Sequence, residues 1–156
     1  MEIQKLREPE FPAAVELCWR VFLKFEAPDY SPEGVEAFHT YLSNTEQVKH
    51  LTVFGAWEGQ RLLGILAAEG SHIALFFVDP TFHRRGIGRQ LFRAYLAEGG
   101  WGRVTVHSAP GAVEVYRHLG FSPTAGEQLS PDGIRYVPMV WSRPVSEPVG
   151  RKEEGT

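Results

Sequence analysis

His72-Ile73-Ala74-Leu75-Phe76-Phe77-Val78-Asp79-Pro80-Thr81-Phe82-His83-Arg84-Arg85-Gly86-Ile87-Gly88-Arg89-Gln90-Leu91 is an apolar run that breaks at Asp-Pro and restarts, behind two closely spaced glycines, as an amphipathic one. A strand that gives way to a helix in this manner leaves several N–H groups at the helix start without partners inside the helix, and these point outward. Such a turn suits an anion. Arg84 and Arg85 add positive charge before the glycines, and Gly86 and Gly88 let the backbone approach a ligand with no Cβ in the way.

Two phosphate motifs fail on the same residues. A Walker loop needs Lys and then Ser or Thr after its second glycine, where this chain has Arg89 and Gln90. A dinucleotide fingerprint needs a third glycine or alanine at the position of Leu91, and an acid at the end of the next strand, Arg103 to His107. Neither is present. What remains, Arg84-x-Gly86-x-Gly88 at a strand-to-helix junction, resembles the pyrophosphate loop of the GNAT superfamily of N-acetyltransferases, which reads Gln/Arg-x-x-Gly-x-Gly/Ala; His83 stands at its first position. A second block, Ala112-Val113-Glu114-Val115-Tyr116-Arg117-His118-Leu119-Gly120-Phe121, is similar to the superfamily's Ala-x-x-x-Tyr-x-x-x-Gly-Phe, at the family's distance from the first. Phe25-Glu26-Ala27-Pro28-Asp29-Tyr30 and Gly133-Ile134-Arg135-Tyr136 look similar to segments of a group of small bacterial GNAT proteins.

The periodicities outline the rest of one domain, an expected size for 156 residues. A strand over Ile3 to Leu6 leads to a helix ending near Phe25, with Phe11, Val15, Cys18, Phe22 and Phe25 as its buried stripe. Ser31 caps a second helix that starts at Pro32 and carries Val35, Phe38 and Leu42 inward. Three strands, 51–57, 61–68 and 72–78, form an antiparallel meander about two tight glycine turns. The glycine-led helix stops at Gly99-Gly100; after the fifth strand, Ser108 can cap a helix over 110–119, which Gly120 ends. Strands near Phe121 and over 135–141 close the sheet. This order matches the GNAT arrangement: an α/β (α+β) fold with a mixed, mostly antiparallel central sheet flanked by helices, its fourth and fifth strands splayed. The acetyltransferase domain is expected to cover 1–141, and the polar, proline-rich 142–156 to form a mobile tail with no share in the core.

Composition bounds the partners. A net charge of −3 argues against nucleic acid, and with no long apolar segment or leader pattern we expect a cytoplasmic protein that does not engage a membrane. Six histidines and one cysteine form no ligand-spaced cluster, so no metal is expected. Cys18, among Val15, Trp19 and Phe22, reads as a buried thiol. Arg85, Arg89 and Arg93 make one face of the glycine-led helix positive, with Arg93 simply solvated.

The resemblance implies the chemistry. Acetyl-CoA is the co-substrate, its pyrophosphate held by His83, Arg84, Arg85, Gly86, Ile87, Gly88 and Arg89, and its pantetheine arm along the backbone of Phe76, Phe77 and Val78, as a peptide adds to a sheet edge. Tyr116 is the general acid for the departing thiolate; a phenol of pKa ~10 serves a thiol of ~8.5 only if geometry supplies much of the effect. Glu26, Asp29 and Tyr30 border the acceptor cleft and favour a cationic amine of a small molecule or peptide. The base stays open among Glu26, Glu69, His72, His107 and a water chain, and a homodimer is possible, as is common in the family. An acyl-CoA-binding or sensing domain is the alternative, disfavoured by the presence of Tyr116.

Overall fold

A computed structural model of the chain describes residues 1–82 and 85–145. Strands β1 (Glu2–Lys5), β2 (Thr52–Glu58), β3 (Arg61–Glu69), β4 (His72–Val78), β5 (Arg103–Ser108), β6 (Ser122–Pro123), β7 (Gln128–Leu129) and β8 (Arg135–Ser142) interleave with helices α1 (Phe11–Phe25), α2 (Pro32–Ser43), α3 (Thr45–Val48), α4 (Ile87–Gly99) and α5 (Val113–Leu119). The sheet order is β1-β2-β3-β4-β5-β8-β6, with β7 on β8. Every pairing is antiparallel except β4 with β5.

That exception positions the site. β4 and β5 pair only at His72 with Thr105 and Ile73 with Val106. β3 follows β4 along its other edge, but its register slips where Ala67 faces Leu75 and Ala68 faces Ile73, which makes Ala74 the extra residue of a β-bulge. A bulge sharpens local twist and bends its strand. Here it coincides with the point where β4 leaves β5, and the gap between the two strands opens from Ala74 onward.

Both faces of the sheet are covered, which is why β3 is buried from Leu62 to Ala68 with no polar alternation. On one face Leu17, Cys18, Val21 and Phe22 of α1 pack with Leu42, Ile65, Leu75 and Phe77; on the other Ile87, Leu91, Phe92 and Tyr95 of α4 pack with Leu63, Val104, Tyr116, Met139 and Trp141. Each fully buried Leu or Phe contributes about 1.5–3 kcal/mol. Ser31 caps α2 as expected, its Oγ accepting the Gly34 N–H at 3.1 Å.

Four expectations need correction. Phe25 is 49% exposed: the inward aromatic of this stretch of α1 is Phe22, which stacks on Phe38 at 4.2 Å and meets Tyr30 edge-on at 5.3 Å. Ser108 does not cap α5; its Oγ donates to the Ala109 carbonyl, and a 3-10 turn over Pro110–Ala112 delays the α-helix to Val113. The strand expected near Phe121 is Ser122–Pro123, and neither α3 nor β7 was expected. Ser142 and Arg143, placed in the tail by composition, belong to the body: Ser142 pairs with Arg103, and the Arg143 N–H donates to the Gly102 carbonyl at 2.8 Å. Residues 146–156 lie outside the described residues, as does the expectation made for them.

Candidate active site

Asp79 ends β4 and shapes the turn that follows. Its N–H donates to the Leu63 carbonyl, and its carboxylate, 2% exposed, accepts the Thr81 N–H at 2.9 Å and Nη1 of Arg20 at 3.0 Å. Burial alone would raise this carboxyl, but the Thr81 N–H and the Arg20 guanidinium outweigh it and hold the carboxyl below its usual range. A 3-10 turn over Pro80–Phe82 follows, and after His83 and Arg84, which lie outside the described residues, Gly86 begins α4.

Gly86 is the N-cap, at φ 75°, and among the described residues no side chain caps the helix. Left-handed backbone there favours glycine, and the first-turn N–H groups are left for a ligand or water. A Cβ on Gly86 would meet nothing within 4 Å. Protein packing therefore does not demand the missing side chain, whereas a bound group would. Arg85 lies over the Phe82 ring at 5.2 Å and pairs with Glu58 at 3.2 Å. Both partners of that pair are about half exposed, and such surface pairs are worth about 0–1 kcal/mol, too little to keep Arg85 from an incoming phosphate. Ile87 is buried, while Arg89 is exposed on the first turn.

From the helix start the side chains lead along β4. A Cβ on Gly88 would come 3.7 Å from Phe76 Cζ, and the Phe76 ring stands edge-on to Tyr116 with centroids 5.9 Å apart. Phe76 and Val78 thus border the face that carries α4 and α5, and Phe77 the opposite one. Tyr116 is 7% exposed, and its phenol is pushed well up, first by burial and then by the charge of Glu26. It is protonated throughout the neutral range.

The opposite face holds the other expected residues. Glu26 is the C-cap of α1; burial pushes its carboxyl up to about 7. Tyr30 donates from its hydroxyl to the Arg135 carbonyl at 3.2 Å, and Arg135 Nη1 donates to the Asp29 carbonyl at 2.9 Å, so the turn over Ala27–Asp29 is tied to the start of β8. Tyr30 is pushed up to about 12 by burial and by Glu26. Gly34 and Gly133 make that docking close: a Cβ on Gly34 would collide with the Gly133 carbonyl.

Glu69 and His72 face each other across the β3–β4 hairpin but differ in surroundings. Glu69 is exposed at the hairpin, whereas His72 sits at the closed end of the β4–β5 gap, Nδ1 at 2.8 Å from Thr105 Oγ1 and its ring 4.9 Å from that of His107. His107 stacks on Tyr136 at 4.3 Å. Burial lowers both imidazoles, and for His72 the neighbouring His107 adds to the effect. Cys18 is wholly buried and its thiol raised by burial, in keeping with a core role. Among the described residues no three His, Cys, Asp or Glu side chains are grouped to hold a metal ion, and no helix is long and apolar enough to cross a membrane.

The family resemblance implies a bulge in the fourth strand but does not place it at Ala74, and sequence reasoning missed the pair of Arg20 with Asp79 and the imidazole pair. A lone alanine between Ile73 and Leu75 was the one local signal for the bulge.

Residues 26–143 match the acetyltransferase (GNAT) domain family. The chain belongs to the GNAT family. GNAT structures share the whole architecture, and at these identities the likeness is one of fold. A GCN5-related N-acetyltransferase (aminotransferase, class-II) from Rhodopseudomonas palustris is 17% identical, covering 90% of this chain and 94% of that one with a TM-score of 0.78. The PaiA N-acetyltransferase of Thermoplasma acidophilum, solved in complex with coenzyme A, is 16% identical over 90% of this chain and 98% of its own, at a TM-score of 0.69. The ribosomal-protein-alanine N-acetyltransferase of Brucella melitensis is 16% identical over 91% and 99%, at 0.62. The family match ends at Arg143, whose N–H donates to the Gly102 carbonyl.

Proposed function

We propose that this GNAT protein transfers an acetyl group from acetyl-CoA directly to a primary amine of a small molecule or peptide. The carrying observation is the gap between β4 and β5, which runs from a bare helix N-terminus at Gly86 to the phenol of Tyr116. The residues fit the donor. N–H groups of the first turn of α4, with Arg85, Arg89 and the open space at Gly86, would hold a pyrophosphate, as the family motif over His83, Arg84, Arg85, Gly86, Ile87 and Gly88 implies. The β4 backbone from the bulge through Phe76, Phe77 and Val78 would take the amide-bearing arm in place of the missing strand. An N–H on this edge would also steady the oxygen of the acetyl carbonyl.

Tyr116 donates its proton to the departing sulfur. Its high pKa suits the task, because the desolvation that raises the phenol raises the thiolate beside it as well. Glu26, Asp29 and Tyr30 line the acceptor side, where two carboxylates favour a cationic amine.

Calorimetry with acetyl-CoA should show binding that Gly86→Glu abolishes, since a carboxylate would then occupy the cradle; undiminished affinity would sink the assignment of the loop. Tyr116→Phe should lower turnover about 10²-fold or more with little change in acetyl-CoA affinity. Thiol release measured against a panel of primary amines separates the enzyme from a binding or sensing domain and names the acceptor.

A further inference from the structure

The two faces of the sheet bring different chemistry to the gap. Phe76 and Val78 pack on the side of Tyr116, whereas Phe77 belongs to the core cluster on the other face, against which Ala27 and Tyr30, the neighbours of Glu26, also pack. A complete sheet would stand between Tyr116 and Glu26 as an unbroken layer of hydrogen-bonded backbone. Pairing of β4 with β5 stops at Ile73 and Val106, and beyond that point the faces communicate. The charge of Glu26 accordingly reaches the Tyr116 phenol.

Glu26 itself is poised. Among the described residues its carboxylate has no hydrogen-bond or ion-pair partner, and it sits at the C-terminal end of α1, the negative end of the helix dipole. The groups around it do not neutralise it. Cys18 from α1 is a buried neutral thiol, Tyr30 and Tyr116 are neutral phenols, and Asp29 carries like charge. Arg135 from β8 is engaged by Glu127 at 2.7 Å and by the Asp29 carbonyl. The rival bases are placed less well: Glu69 is exposed at the hairpin, His72 is held by Thr105 at the closed end of the gap, and His107 lies flat on Tyr136.

We propose that Glu26 is the general base that takes the proton of the attacking amine across the gap from Tyr116. The role rests on the acetyltransferase reading. The amine nitrogen forms its bond to the thioester carbonyl carbon, the carbon–sulfur bond breaks, and the electron pair leaves on sulfur, which takes the hydroxyl proton of Tyr116. The proton lost by nitrogen goes to the Glu26 carboxylate. Glu26 then returns it to the Tyr116 phenolate, so that amide and thiol leave both side chains as they began. A base titrating near neutrality fits this duty, because it is ionised when the amine arrives and still basic enough to accept.

The test is steady-state thiol release from acetyl-CoA with spermidine, tyramine and a short peptide bearing a free N-terminus, from pH 5.5 to 9, for the wild-type protein, Glu26→Gln, Glu26→Asp and His107→Ala. Glu26→Gln should lower kcat about 10²-fold and remove the acidic limb of the kcat profile, while acetyl-CoA affinity by calorimetry is unchanged. Glu26→Asp should restore part of kcat with the limb displaced. A limb that persists in Glu26→Gln with kcat within about threefold, or one that vanishes instead in His107→Ala, overturns the assignment. Wild-type protein that releases no thiol with any of these amines fails in a different way: it overturns the acetyltransferase reading and the role of Glu26 with it.

Discussion

Glu26 shows how a residue can be poor for stability and useful for chemistry. Its ordinary value is 4.5 and burial raises it to about 7, so the folded state favours the protonated form. The penalty is absent below pH 4.5, grows as pH rises to about 7, and is constant above that. Glu26→Gln should therefore be more stable than the wild-type protein by about 1–3 kcal/mol at pH 8, with no difference near pH 4. Urea unfolding at the two pH values measures this, and equal stability at pH 8 would mean that the carboxylate is better solvated than its surroundings indicate. Tyr116 follows the same physics from the other side. Its burial keeps the phenol protonated, the state that the proposed proton donation requires.

At the scale of elements, the turn between β4 and α4 depends on α1. Asp79 joins them, with Arg20 on one side and the Thr81 N–H on the other. Asp79→Ala leaves Arg20 its second partner, Glu16 at 3.1 Å, but removes the cap of the turn. The cost should be about 1–3 kcal/mol of stability, and the Kd for acetyl-CoA should rise several-fold, because the turn aims the loop that follows. Chemical denaturation and calorimetry on one preparation separate the two effects; unchanged affinity would mean that the loop sets its own shape. The carboxyl of Asp79 is depressed, so its contribution is present above the ordinary value of 3.8 and is lost as pH falls through the lower folded value. The bulge at Ala74 is the second device at this scale. One extra residue in β4 turns a sheet interior into an edge without breaking the strand.

For the whole molecule, a ligand that fills the β4–β5 gap bridges two halves of the sheet that otherwise meet at two residue pairs. Acetyl-CoA at 100 times its Kd should raise stability by about 2.7 kcal/mol, a Tm increase of roughly 5–10 °C for a domain of this size. Thermal melts with and without acetyl-CoA test it, and Gly86→Glu should show no shift. The hairpin of β7 and β8 and the turn over Ala27–Asp29, joined through Tyr30 and Arg135, are expected to move as one rim above the gap.

Local chemistry was legible wherever a residue type has one strong use. Gly86, Gly100 and Gly120 at their helix ends announce left-handed backbone that few other residues tolerate, Ser31 before Pro32 announces a helix cap, and the apolar periods announce which faces are buried. From these most of the element order, the mixed sheet and the glycine-led start of α4 follow, because they are set by neighbours in the chain. Phe25, Ser108 and Ser142 misled for the complementary reason: each has a local reading that a distant partner overrides. The depth of Glu26, the pairing of Asp79 with Arg20, and the meeting of His72 with His107 depend on residues 35 to 90 positions apart, and on a register shift with no strong local signal. Burial and charge are properties of what surrounds a side chain, and for this protein only the closed fold decides which surroundings Glu26 and Tyr116 share.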